Sequence, residues 1–149
     1  MSLVTTKELV LDAQNRKYCV PAINTSGGDY DIVRALCEQC EEQGSPVMLM
    51  AYTANLDYRG YEFFGALGKF FGDRYTIPVA IHLDHSNEVG QCAQAIHGGF
   101  TSVMIDASKE SIDYNIDSSN KVLEIARPCG VSVEAEVGQL LRDDEPQDS

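Results

Sequence analysis

The chain has 149 residues, 44% of them hydrophobic, and a formal net charge of −12 from 23 acidic against 11 basic residues. That length suits one ordinary domain with a real core, and so acidic a surface argues against nucleic acid or an anionic membrane as a partner. No apolar stretch approaches 18 residues, no signal-peptide pattern opens the chain, and the cysteines number five, which points to free thiols in a cytoplasmic, reducing setting.

From the N-terminus, Thr5 or Thr6 can cap a helix whose apolar face is Leu9, Val10 and Ala13. Residues 19–23 read as a short strand ending at Asn24, with Gly27-Gly28 as the turn. Residues 29–43 are helical, with Ile32, Val33, Leu36 and Cys40 on one stripe. Cys37 and Cys40 form a CxxC inside that helix with no second such pair, which favours packing over zinc. Gly44-Ser45 stops the helix, and residues 46–51 are a near-continuous apolar strand. Residues 58–71 read as one helix with Phe63, Leu67, Phe70 and Phe71 inward. Val89, Cys92, Ala93 and Ile96 recur at helical spacing before Gly98-Gly99, and residues 101–105 are a strand stopping at Asp106. Residues 114–127 are helical through Ile116, Val122, Leu123 and Ala126, and residues 131–136 form a fifth strand.

Between the third and fourth of those helices lies Val79-Ala80-Ile81-His82-Leu83-Asp84-His85-Ser86. It is an apolar run after Pro78 that ends in titratable side chains, the pattern of a buried strand carrying chemistry at its C-terminal end. Five strands separated by helices with short connections predict an α/β fold with a parallel sheet of right-handed crossovers. Two architectures compete, a doubly wound sandwich and part of a (β/α)8 TIM barrel. Asn24, Asp84-His85, Asp106 and Glu136 each close a strand, and only a barrel gathers such ends around one centre. The phosphate turns GxGxxG and GxxxxGK[ST] are absent. A complete barrel takes about 250 residues, so this chain is read as a single domain holding about five of the eight strands.

Three segments in order carry a resemblance. They are residues 82–85 (His-Leu-Asp-His), residues 95–108 (Ala-Ile-His-Gly-Gly-Phe-Thr-Ser-Val-Met-Ile-Asp-Ala-Ser) and residues 130–138 (Gly-Val-Ser-Val-Glu-Ala-Glu-Val-Gly). Together with Ala22-Ile23-Asn24 and Ser45-Pro46-Val47 they resemble the N-terminal half of the class II, zinc-dependent fructose-bisphosphate/tagatose-bisphosphate aldolase family. The resemblance implies a (β/α)8 barrel, dimeric or larger, that cleaves and condenses a sugar bisphosphate of the ketose class. It implies that Asp84 exchanges a proton with the C4 hydroxyl and that His85 ligates catalytic Zn2+. Asp106 and Glu136 match carboxylates of a second or alternate cation position, divalent or monovalent, and Asn24 is carried over as a substrate-binding residue.

The chemistry asks for these types. Carbon–carbon cleavage leaves an enediolate, which a Lewis acid stabilises, while an adjacent carboxylate holds the proton in flight. The other aldolase strategy needs a strand-borne lysine, and none of Lys7, Lys17, Lys69, Lys109 and Lys121 reads as lying in a strand.

Departures from the family pattern are local. Leu141-Arg142 replace a glycine pair in the expected mobile active-site loop, residues 139–149. Asp144 stands where the family has a glutamate that handles the C3 proton, and Ser86 replaces a smaller residue. The family's other two zinc histidines and its phosphate-binding loops fall beyond Ser149. Two readings stay open: part of an ordinary aldolase, or a half-barrel serving as an accessory or binding subunit. Either way, the 149 residues on their own are expected to self-associate through open strand edges, hold zinc weakly and show no turnover.

Overall fold

The computed structural model describes residues 3–138; the expected loop at 139–149, with Asp144, lies outside them. Thr5 opens the first helix, α1 (Thr6–Arg16), through a reciprocal capping box. The Glu8 N–H donates to the Thr5 hydroxyl at 3.2 Å, and the Thr5 N–H donates to the Glu8 carboxylate at 2.7 Å. Leu9 and Ala13 are buried, whereas Val10, expected beside them, is exposed. It lies about 100° round the helix from Leu9.

The five strands are β1 (Ala22–Asn24), β2 (Val47–Tyr52), β3 (Val79–Ser86), β4 (Ser102–Ile105) and β5 (Ser132–Ala135). All neighbours pair in parallel, and their order in the sheet is their order in the chain. A doubly wound sheet must reverse direction once. This one never does, so the arrangement is that of a barrel wall, with β1 and β5 as its two open sides.

One face of the sheet packs on the helices. Val47, Leu49, Ala51, Val79, Ile81, Leu83, Val103 and Ile105 share a core with residues of the outer helices. The alternate residues Met48 and Ala80 face the other way, where Leu9 of α1 covers them. Burial on both faces explains why β2 reads as an unbroken apolar run. Because α1 closes the end near the start of β3, where Leu3 pairs with Val79, the opposite end, at the strand C-termini, stays open for a site.

Between β1 and β2 runs α2 (Tyr30–Gln43), capped by Asp29. Val33, Cys37 and Cys40 face the core, while Ile32 is half-exposed. The CxxC is therefore packing, as its sequence setting suggests, and all five cysteines are free thiols. Where one helix was expected over 58–71, there are two, α3 (Thr53–Arg59) and α4 (Tyr61–Arg74). Gly60 separates them at φ +97°, a backbone that suits glycine. The inward face of α4 is then Tyr61, Phe64, Gly65, Gly68, Phe71 and Gly72, and Phe63 and Phe70 turn half out to solvent. Those glycines let the helix approach closely: a Cβ on Gly65 would collide with the Gly98 carbonyl oxygen, and one on Gly68 would lie 2.5 Å from Ile81 Cδ1. Counting large apolar residues misjudges such a face, since its contacts are made by missing side chains.

The last crossovers are α5 (Val89–His97), burying Cys92 and Ala95, and α6 (Ile112–Ala126). In α6 the buried residues are Asn115, Ser118, Val122 and Ala126, and Ile116 points outward. No helix among the described residues is long and apolar enough to cross a membrane.

Candidate active site

Because all five strands are parallel, their C-terminal ends open on one side. Asp84 and His85 arrive there together, although adjacent residues of a regular strand point to opposite faces. The cause is a bulge. Leu83 pairs with Val103, but the next pair is Ser86 with Ile105, so β3 carries one residue more than β4. His85 sits in the left-handed region at φ +46°. Ser86, fully buried, anchors the irregularity: its hydroxyl lies 2.9 Å from the Glu88 carbonyl oxygen, and its own carbonyl accepts the Asp106 N–H at 2.7 Å.

The imidazole thus turned meets two carboxylates from the neighbouring strand ends. His85 Nδ1 lies 2.9 Å from Asp106 Oδ2 and 3.7 Å from Glu136 Oε2, and its Nε2 lies 3.9 Å from Asp84 Oδ1. Burial works against a charged imidazole here, but the hydrogen bond to Asp106 and the charges of Asp84, Asp106 and Glu136 prevail and raise His85 above its ordinary value. Burial likewise opposes ionisation of Asp106. Hydrogen bonds from Ser108 and His85 outweigh it and hold the carboxyl below its usual range.

One ligand atom each from His85, Asp106 and Glu136 falls within 4.8 Å of the others. Among the described residues, theirs is the one histidine, cysteine, aspartate and glutamate group this close. An imidazole nitrogen with two carboxylate oxygens suits zinc, and three protein ligands leave a position open, as catalytic zinc sites do. The residues present therefore fit such an ion. Asp84 stands beside the group without joining it. Asn24, two strands away on β1, is exposed, and its side-chain oxygen accepts the Ser26 N–H at 3.0 Å.

Beneath the group lies a layer absent from the sequence-based set of site residues. His82 is 1% exposed, its Nδ1 is 2.8 Å from the Ser102 hydroxyl, and its Nε2 is 3.6 Å from Glu134 Oε2. The signal for both was period two: His82 shares a face with Asp84, and Glu134 with Glu136. Burial dominates at His82 and pushes its pKa down to about 4. Burial, with Asp84 and Glu136 nearby, pushes Glu134 up.

A pH dependence of stability follows. An unfolded histidine takes a proton near its ordinary value of 6.5, whereas native His82 resists until about 4. Between those values the unfolded chain binds the extra proton, so stability is intact above 6.5 and falls as the pH drops. The loss is on the order of 3 kcal/mol at the acid end of that window. Denaturant unfolding from pH 7.5 to 4.5 should show a steeper loss in the native sequence than in His82→Gln, which has no proton to take up.

A model of the class II fructose-bisphosphate aldolase family matches residues 4–148. The fructose-bisphosphate aldolase of Helicobacter pylori strain J99 is 38% identical over 140 residues, covering 93% of this chain and 45% of that protein. The 6-phospho-5-dehydro-2-deoxy-D-gluconate aldolase of Bacillus subtilis strain 168 is 39% identical, covering 94% and 49%. Among solved structures, the YdjI aldolase of Escherichia coli K12 superposes with a TM-score of 0.82 at 26% identity, over 91% of this chain and 51% of that one. The chain spans about half the length of the relatives it matches. The family match takes in both the barrel wall and the strand ends that carry Asp84, His85, Asp106 and Glu136, and the chain belongs to the class II fructose-bisphosphate aldolase family.

Proposed function

We propose that the protein carrying this chain is a zinc-dependent aldolase that cleaves and re-forms the C3–C4 bond of a ketose bisphosphate. The substrate would be fructose 1,6-bisphosphate, giving dihydroxyacetone phosphate and glyceraldehyde 3-phosphate, or its tagatose equivalent. The observation that carries this reading is the approach of His85, Asp106 and Glu136 within 4.8 Å, beside a carboxylate that is not one of them.

His85 would ligate the catalytic ion, and Asp106 and Glu136 beside it would offer a second or alternate cation position. Bound at His85, the catalytic ion supplies Lewis-acid stabilisation of charge developing on the substrate oxygens. Asp84, partly buried at the rim, takes the C4 hydroxyl proton during cleavage and returns it during condensation. Asp144, outside the described residues, is assigned the C3 proton. Asn24 is assigned a substrate contact at the mouth. A homodimer or higher oligomer in the cytoplasm completes the reading.

The test separates metal from Schiff-base chemistry. None of the five strands carries a lysine, so cleavage by the intact protein should vanish in chelator and return with zinc. Turnover that survives chelation and is trapped by borohydride would overturn the reading. A panel of ketose bisphosphates and sugar-acid phosphates then ranks the substrates.

A further inference from the structure

Helix α6 presents a polar residue to the sheet where an apolar one is the norm. Asn115 is 5% exposed and lies on the same inward stripe as Ser118, Val122 and Ala126. Asparagine is a poor helix former, and burying its amide is costly unless each group finds a partner. Here the partners are specific. The Nδ2–H donates to the Glu136 carbonyl oxygen at 2.7 Å, and Oδ1 is 3.4 Å from the Ser119 hydroxyl. The backbone N–H of Asn115 is spent on Ser111 at 2.9 Å in the first turn.

The position of the accepting carbonyl matters. The last β4–β5 pair is Ile105 with Ala135, so Glu136 stands one residue past the strand. The other two members of the group have their own supports. Asp106 accepts the Ser108 N–H at 3.0 Å and donates its own N–H to Ser86, and His85 is set by the bulge. For Glu136 the equivalent support reaches across from the helix layer.

We propose that Asn115 is a positioning residue for the cation group, fixing the backbone of Glu136 so that its carboxylate meets the His85 imidazole and the Asp106 carboxylate. The inference rests on the metal reading above. A residue that orients a ligand in this way is worth about 10–100-fold in metal affinity when removed.

The experiment titrates the metal-free intact protein with cobalt(II) alone, following ligand-field absorption, and records thermal unfolding beside it. Asn115→Asp and Asn115→Leu both lack the donor but differ in charge, so a shared effect belongs to the lost hydrogen bond. Both are expected to fold, to bind cobalt about 10–100-fold more weakly and to show an altered absorption band. Affinity and spectrum like the native protein's, with only the unfolding midpoint lowered, would make Asn115 a plain helix–strand tie and overturn the proposal. Should neither variant fold, Asn115→Ser decides. Its hydroxyl stays polar but stops one atom short of the native amide nitrogen that reaches Glu136, so it should weaken cobalt binding about 10-fold; unchanged binding there overturns the proposal. Failure of the metal reading shows separately, as native protein that binds cobalt no better than His85→Ala.

Discussion

Asp84→Ala is expected to keep its fold and its zinc while turnover falls by about 10²–10⁴-fold, the usual contribution of a positioned general acid–base group. The geometry separates this residue from the ligands. Asp84 Oδ1 lies 3.9 Å from His85 Nε2, whereas the groups that converge on one point are His85, Asp106 and Glu136. Its strand is paired on both sides, Tyr52 standing opposite Asp84 on β2, so removing a partly exposed side chain leaves the ladder intact. The measurement is steady-state cleavage by the intact protein with metal content determined on the same sample. A drop in turnover matched by an equal loss of zinc would place Asp84 among the ligands and refute the assigned role.

His85→Ala should do the opposite and lose the metal. His85 supplies the one nitrogen of the group, and without it two carboxylates remain facing each other with only an oxygen pair to offer. The loss of activity should then be complete, and added zinc at ordinary concentrations should not restore it. In the metal-free state Asp106 and Glu136 also lose the imidazole that approaches them at 2.9 and 3.7 Å. Metal content by mass spectrometry, together with unfolding curves, distinguishes a vacated site from a misfolded chain. If His85→Ala retained stoichiometric zinc, the ligand assignment would be wrong.

The strand ends were legible in the sequence for a physical reason. Buried parallel strands are apolar on both faces, so polar residues gathered at the end of such a run, as Asp84-His85 are, mark its exit from the core. That is why Asp84, His85, Asp106 and Glu136 could be placed before any coordinate was known. Helix faces were less legible. Val10, Ile32, Phe63, Phe70 and Ile116 are large and apolar yet exposed, while small residues such as Gly65, Gly68 and Ser118 take inward positions on α4 and α6. Asn115 and His82 escaped because a polar side chain carries no mark of its partners, and only those on neighbouring elements show what each one holds. The bulge was also hidden, since nothing in the local spacing of His82-Leu83-Asp84-His85 separates a regular strand from one with an added residue.

That bulge narrows the alphabet available to evolution at position 85. Metal chemistry alone would accept cysteine or glutamate there. The backbone at φ +46° is one that non-glycine residues seldom occupy, with histidine, aspartate and asparagine the most tolerant among them. On the proposed metal role, two independent demands, a donor atom and a left-handed residue, fall on one codon, and histidine meets both. Drift toward another good zinc ligand would strain the turn, and drift toward glycine would ease the turn and forfeit the ion.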